Sequence, residues 1–186
     1  SQAVRVGDVP LIHTAQIFGT GADGRNSGDS PATQTARALE RLGAVLTEAR
    51  SGWDRVVKLH LYVSGQDAVP AVQKVVADKF AKGRHQPAVA WVISKLPVSE
   101  AKVALDAVAT TDLPDRARIE QADGPSPTWS VVPRGTRIYV AGQAEAGQTL
   151  TEMTRKTLAS LAETLKFLGR GQTDIVQLKA FLQPMS

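Results

Sequence analysis

The chain has 186 residues, 42% of them hydrophobic and 22% charged, with no cysteine. That balance excludes wholesale disorder, disulfides, thiolate metal sites and a cysteine nucleophile, and the length allows one large or two small domains. The net charge of +4 divides evenly, with 13 Lys and Arg against 11 Asp and Glu in residues 1–112 and 9 against 7 in 113–186, so no basic run marks a nucleic-acid surface.

In chain order, "LIHTAQI" (11–17) reads as a strand. "GTGADG" (19–24) spells G-x-G-x-x-G, but a dinucleotide site needs the third glycine to open a helix, and "RNSGDSP" intervenes. These glycines read as a loop. Ser30 and Pro31 cap a helix whose Leu39, Leu42 and Leu46 form one stripe. A strand follows, with Val57, Leu59, Leu61 and Val63 facing one side and Lys58, His60 and Tyr62 the other. A second helix over about 67–82 carries Val69, Val72, Val76 and Phe80. Strands over about 88–95 and 102–110 are expected to form a hairpin through "KLPVSEAK". The polar stretch 110–128 punctuates the chain.

Beyond it the pattern returns. Leu39, Leu42 and Leu46 fall on Leu158, Leu161 and Leu165 at an offset of 119, and the strand after each helix matches, with Val176, Leu178 and Ala180 alternating with Gln177, Lys179 and Phe181. "RIYVAGQ" (137–143) matches 11–17 at an offset of 127, because the first copy's loop is eight residues longer. The expected organisation is a first unit over 1–112, a linker over 113–128 and a partial second unit over 129–186. The second copy lacks counterparts of the second helix and closing strands. A sheet so shortened exposes an edge and an apolar face, so the chain is expected to be part of a longer polypeptide or to be completed by a partner. The architecture expected is α+β, two helices on one face of a sheet, duplicated.

The order of these segments resembles the Rid family, also called YjgF or endoribonuclease L-PSP. The residues that carry the resemblance are "SQAVRVGD" (1–8), "VVKLHLYV" (56–63), "QPAVAWVISKLPVSEAKVALDAVA" (86–109) and, in the second copy, "WSVVPRGTRIYVAGQ" (129–143). The resemblance implies a chorismate-mutase-like fold, a trimer (or pseudo-hexamer for a tandem chain) with clefts between subunits, and no cofactor. It also implies hydrolysis of enamines and imines to keto acids and ammonia. An arginine after Pro-Ala grips the substrate carboxylate, and a glutamate on the last strand places the water.

In this sequence the arginine position is Val89 and the glutamate position Ala104, while Asp106 matches a different acidic position. Trp91 replaces a small residue, and Ala15 replaces the glycine before Gln16. The cleft implied for the first unit comprises Thr14, Ala15, Val89, Trp91 and Ala104, and that for the second Trp129, Gly142 and Gln143. Four departures at one site point to a first unit that is not a deaminase. The alternative is a binding or oligomer-assembly module with a small carboxylate or apolar ligand, and RNA cleavage ranks third.

His13, His60 and His85 have no metal-ligand spacing. His60 lies on the polar strand face and could line a cleft, though a surface histidine is the commoner outcome. No G-x-S-x-G elbow appears. Arg84 with Arg55 or Arg50 could hold an anion, though solvated arginines are commoner. No apolar run approaches the roughly 18 residues of a membrane span. A cytoplasmic location is expected, with export left open because the chain starts at Ser1 rather than Met.

Overall fold

The structure, a computed structural model, describes residues 4–21, 29–81, 83, 86–116, 118–138, 140 and 143–180. It divides into two compact units, Ser1–Arg134 and Gly135–Ser186.

The first unit is built on a seven-stranded sheet of β1 (Leu11–Thr14), β2 (Ile17–Phe18), β3 (Val56–Val63), β4 (Ala88–Ile93), β5 (Val103–Thr110), β6 (Glu120–Gln121) and β7 (Trp129–Val132). The order is β4-β3-β5-β1-β7-β6, with β2 pairing β5. Helices α1 (Pro31–Glu48) and α2 (Val69–Phe80) supply Leu39, Leu42, Leu46, Val72, Val76 and Phe80 to one large core with Leu59, Leu61, Val63, Val103 and Leu105. The opposite face carries a smaller cluster of Tyr62, Leu96, Ala101 and Ala104, with no helix residue in it.

α1 forms where its sequence directs. Ser30 Oγ accepts from the Thr33 N–H at 3.1 Å, Pro31 occupies the first turn, and the leucine stripe is fully buried. It ends when Arg50 turns left-handed at φ 49, the Arg50 N–H returning to Thr47 and the Ser51 N–H to Leu46.

In the first unit three expectations change. β4 and β5 form no hairpin, because β3 lies between them. The crossover through α2 brings β4 back parallel to β3, and β5 then pairs β3 antiparallel on its other side. The connection 94–102 spans the gap, with Ser94 N bonded to Val63 O and Ser64 N to Lys102 O. Second, a register shift between Val56 and Lys58 puts Val56 rather than Val57 into the core with Leu59 and Leu61. Third, residues 120–132, which the repeat pattern divides between linker and second copy, extend the first sheet: β7 pairs β1 and β6 pairs β7. The β1 edge is thereby closed with ladder hydrogen bonds that a linker would have left to solvent.

In the second unit, α3 (Leu150–Phe167) is capped by Thr149, whose Oγ1 accepts from the Glu152 N–H at 3.1 Å. Gly169, at φ 67, ends it, with Gly169 N bonded to Lys166 O and Arg170 N to Leu165 O. A short 3₁₀ helix, Gln172–Asp174, follows. The strands expected over 137–143 and 176–181 are not formed among the described residues. A strand's hydrogen bonds come from a neighbouring strand, and every strand of the described sheet lies between residues 11 and 132. No residue of α3 is buried, and Leu158 is 49% exposed where Leu39 is 4%.

The two stripes therefore differ in stability contribution. Leu42→Ala is expected to cost about 3 kcal/mol and Leu161→Ala about 1 kcal/mol or less, measured by chemical denaturation. Equal costs would mean that the α3 face is covered as fully as that of α1.

Candidate functional site

Strand alternation turns Lys58, His60 and Tyr62 to the face of β3 opposite its core side chains, and the antiparallel register sets His60 beside Asp106 and Tyr62 beside Ala104. Asp106 is 2% exposed. Its Oδ1 lies 2.8 Å from His60 Nδ1, and its Oδ2 accepts from the Tyr62 hydroxyl at 2.7 Å. Burial, together with the hydrogen bond to Asp106 and its negative charge, pushes the Tyr62 hydroxyl far above the usual tyrosine range. Tyr62 therefore remains a donor. A buried carboxylate without donors would cost several kcal/mol, so the contacts with His60 and Tyr62 help to make Asp106 tolerable on this face. Tyr62, Asp106 and His60 thus form a hydrogen-bonded chain on the outer face.

The residues implied for the first cleft are not brought together within one chain. Val89 and Trp91 pair with Leu59 and Leu61 on the helix-side face. Val89 packs against the main core, and Trp91 is 37% exposed on the edge strand. Ala104 faces the other way, fully buried with Tyr62, Leu96 and Ala101. Thr14 is committed to the backbone: its Oγ1 accepts from the Ala107 N–H at 2.9 Å where β1 gives way to β2, and the Ala15 N–H bonds to Thr128 O. Trp129 lies in the core opposite Thr14, its indole Nε1 buried without a hydrogen-bond partner among the described residues. Gln143 Nε2 donates to Thr164 Oγ1 at 2.9 Å. Gly142 lies outside the described residues, as do His85 and Arg84.

Of the glycine motif, Gly19 has a packing reason. A Cβ there would lie 1.8 Å from the carbonyl oxygen of Gln34 on α1. Among the described residues no group of three His, Asp or Glu could hold a metal ion. No described helix is long and apolar enough to cross a membrane. Alternation along β3 places His60 on a polar face, but nothing local to it points to its partner Asp106, 46 positions away. The alternation of both strands signals which face each side chain takes, and only the register signals which two meet.

The Tyr62 contact gives a pH prediction. A native-state value raised above the ordinary 10 leaves its stabilisation intact below pH 10 and removes it as pH rises further. The unfolding free energy is expected to fall above pH 10 by up to about 1.4 kcal/mol per pH unit, and Tyr62→Phe to abolish that part of the slope in alkaline denaturant titrations.

Comparison with known proteins adds to this geometry. A family model described as endoribonuclease L-PSP matches residues 1–111. Among solved structures, YyfA of the conserved Rid protein family from Yersinia pestis is 26% identical, with a TM-score of 0.50 over 60% of this chain and 86% of that one. Yeast Mmf1 is 18% identical, with a TM-score of 0.50 over the same shares of the two chains. A YjgF-family protein from Mycobacterium tuberculosis is 29% identical, with a TM-score of 0.47 over 57% and 82%. No curated protein matches the chain in sequence.

Proposed function

The chain belongs to the endoribonuclease L-PSP family, also known as YjgF or Rid, and on that footing we propose that its first unit is a non-catalytic relative of the family's enamine and imine deaminases. It serves instead as a binding and assembly module. The observation that carries this reading is the pair of side chains at the positions matching the family's carboxylate clamp and water-placing acid. Val89 is aliphatic and packed against the core, and Ala104 is fully buried. Neither can supply the fork of donors that a planar carboxylate takes, nor a charge to orient water.

The cleft this reading requires lies between subunits. Support comes from Val89 and Trp91 facing one side of the sheet while Ala104 faces the other, so one sheet cannot close a pocket around all three. A homotrimer is expected in sedimentation experiments, and a monomer at micromolar concentration would remove the cleft.

The second unit is read as a repeat of the first unit's beginning. α3 and α1 start and end 119 positions apart, as do their following 3₁₀ helices, Trp53–Arg55 and Gln172–Asp174. The terminal hydrogen bonds repeat too: Arg50 to Thr47 as Gly169 to Lys166, and Ser51 to Leu46 as Arg170 to Leu165.

The decisive assay generates 2-aminoacrylate or 2-iminobutanoate in situ and follows ammonia. Release at the uncatalysed rate is expected, and clear acceleration would sink the reading. Val89→Arg is expected to tighten binding of a small carboxylate such as 2-oxobutanoate by about tenfold or more, as a charge-assisted hydrogen bond should. Unchanged affinity would show that position 89 does not reach the ligand.

A further inference from the structure

Residues 113–134 lie beyond the stretch that the family model matches, and they carry a charge cluster with no part in the function proposed above. Arg116 and Arg118 stand two residues apart and converge on one carboxylate oxygen of Glu120, the first residue of β6. Their Nε atoms lie 3.3 and 3.5 Å from Glu120 Oε1. That oxygen is buried and accepts no hydrogen bond among the described residues. Arg134, just past the end of β7, pairs at 3.4 Å with Asp115, the neighbour of Arg116 in the chain. Three guanidiniums thus meet two carboxylates at the open end of the β6–β7 pair. We propose that Arg116 and Arg118, held in place by Glu120, bind a tetrahedral oxyanion: free phosphate or the phosphate group of a small phosphorylated molecule.

Solvated arginines tethered by surface ion pairs are the competing explanation. One carboxylate neutralises one guanidinium, so the pair at Glu120 leaves a positive charge over. Both contacts run through Nε, which leaves the Nη groups of each guanidinium for another acceptor. Neither arginine has a further partner among the described residues. Their side chains are 57% and 67% exposed, whereas that of Glu120 is 21% exposed. Solvent therefore reaches the donors while the carboxylate that positions them stays beneath.

The ligand class follows from the number and shape of the donors. A planar carboxylate offers one edge and is filled by a single guanidinium, whereas a phosphate has several oxygen edges and accepts from two at once. A phosphate monoester also carries about 1.5 to 2 negative charges at neutral pH, which the surplus charge at Glu120 and the nearby Arg134 meet. A nucleic-acid backbone would require a longer stripe of cations than this patch holds. Glu120 is a positioning residue that orients the two arginines and does not touch the anion. The site does not rest on the reading of Val89, because β4 and β6 are the two opposite edges of the sheet.

The test titrates the full chain with inorganic phosphate at low salt, read by calorimetry and by backbone amide shifts. Saturable binding with a dissociation constant of about 1 mM or tighter is expected, with the shifts centred on residues 115–120 and 131–134. Arg116→Gln and Arg118→Gln should each weaken binding by about tenfold or more, as loss of a charge-assisted hydrogen bond should. Arg118→Lys, which keeps the charge without the fork, should weaken it too, and Arg155→Gln on α3 should leave it unchanged. Acetate should bind at least about tenfold more weakly than phosphate. Glucose 6-phosphate separates the two sources: tighter binding than free phosphate assigns the site to a phosphorylated small molecule, and equal or weaker binding assigns it to phosphate itself. An absence of saturation by phosphate, acetate binding as tight as phosphate, or shifts centred outside the patch would each overturn the proposal. The shifts are read in the unmutated chain, so they decide even if a variant unfolds. Ammonia release from 2-iminobutanoate would overturn only the preceding reading, so the two fail separately.

Discussion

The antiparallel pairing of β3 with β5 sets Leu59, Leu61 and Val63 beside Ala107, Leu105 and Val103 on one face, and His60 and Tyr62 beside Asp106 and Ala104 on the other. A slip of one residue in either strand would carry its whole set of side chains to the wrong face. The aliphatic face is under the strongest constraint, because both helices pack on it and its residues are among the most buried in the chain. The polar chain on the far face is thus positioned by hydrophobic burial it takes no part in. The placement of β4 depends on the same pair, since β4 joins the sheet only through β3.

The outer face is partly covered by the connection 94–102, and a side chain on α1 holds that cover in place. Gln34 is fully buried, its Nε2 donating to the Glu100 carbonyl at 3.2 Å and its Oε1 accepting from the Lys102 N–H at 2.8 Å. Glu100 adopts a left-handed φ of 56 there, a conformation costly for a residue with a Cβ. The amide of Gln34 helps to stabilise that turn, so Leu96, Val98 and Ala101 come down beside Tyr62. Helix packing on one face and closure over the other are coupled through one glutamine.

The helices α1 and α3 show how far local sequence determines a helix and where it stops. Both have 18 residues, a hydroxyl cap, a left-handed exit and a following 3₁₀ helix. Capping bonds reach only across the terminal turns, so they form the same way in each. Burial does not repeat: six residues of α1 are buried and none of α3. Leu42 is fully buried, whereas its counterpart Leu161 is half-buried.

The sequence by itself determined the local elements: the helix over 31–48 from its cap and leucine stripe, the strand over 56–63 from its alternation, and the family from the order of its segments. It also carried the absence of arginine at Val89 and glutamate at Ala104, because those are matters of identity at a matched position. Strand neighbours were decided by the tertiary structure. A hairpin and a crossover read alike along the chain until β3 is seen between β4 and β5. Residues 120–132 likewise read as linker and repeat, yet they found the open edge of β1. The Asp106–His60 contact required the same information. Alternation tells which way a side chain points, and only the pairing of strands, fixed by burial of their other face, tells what it meets.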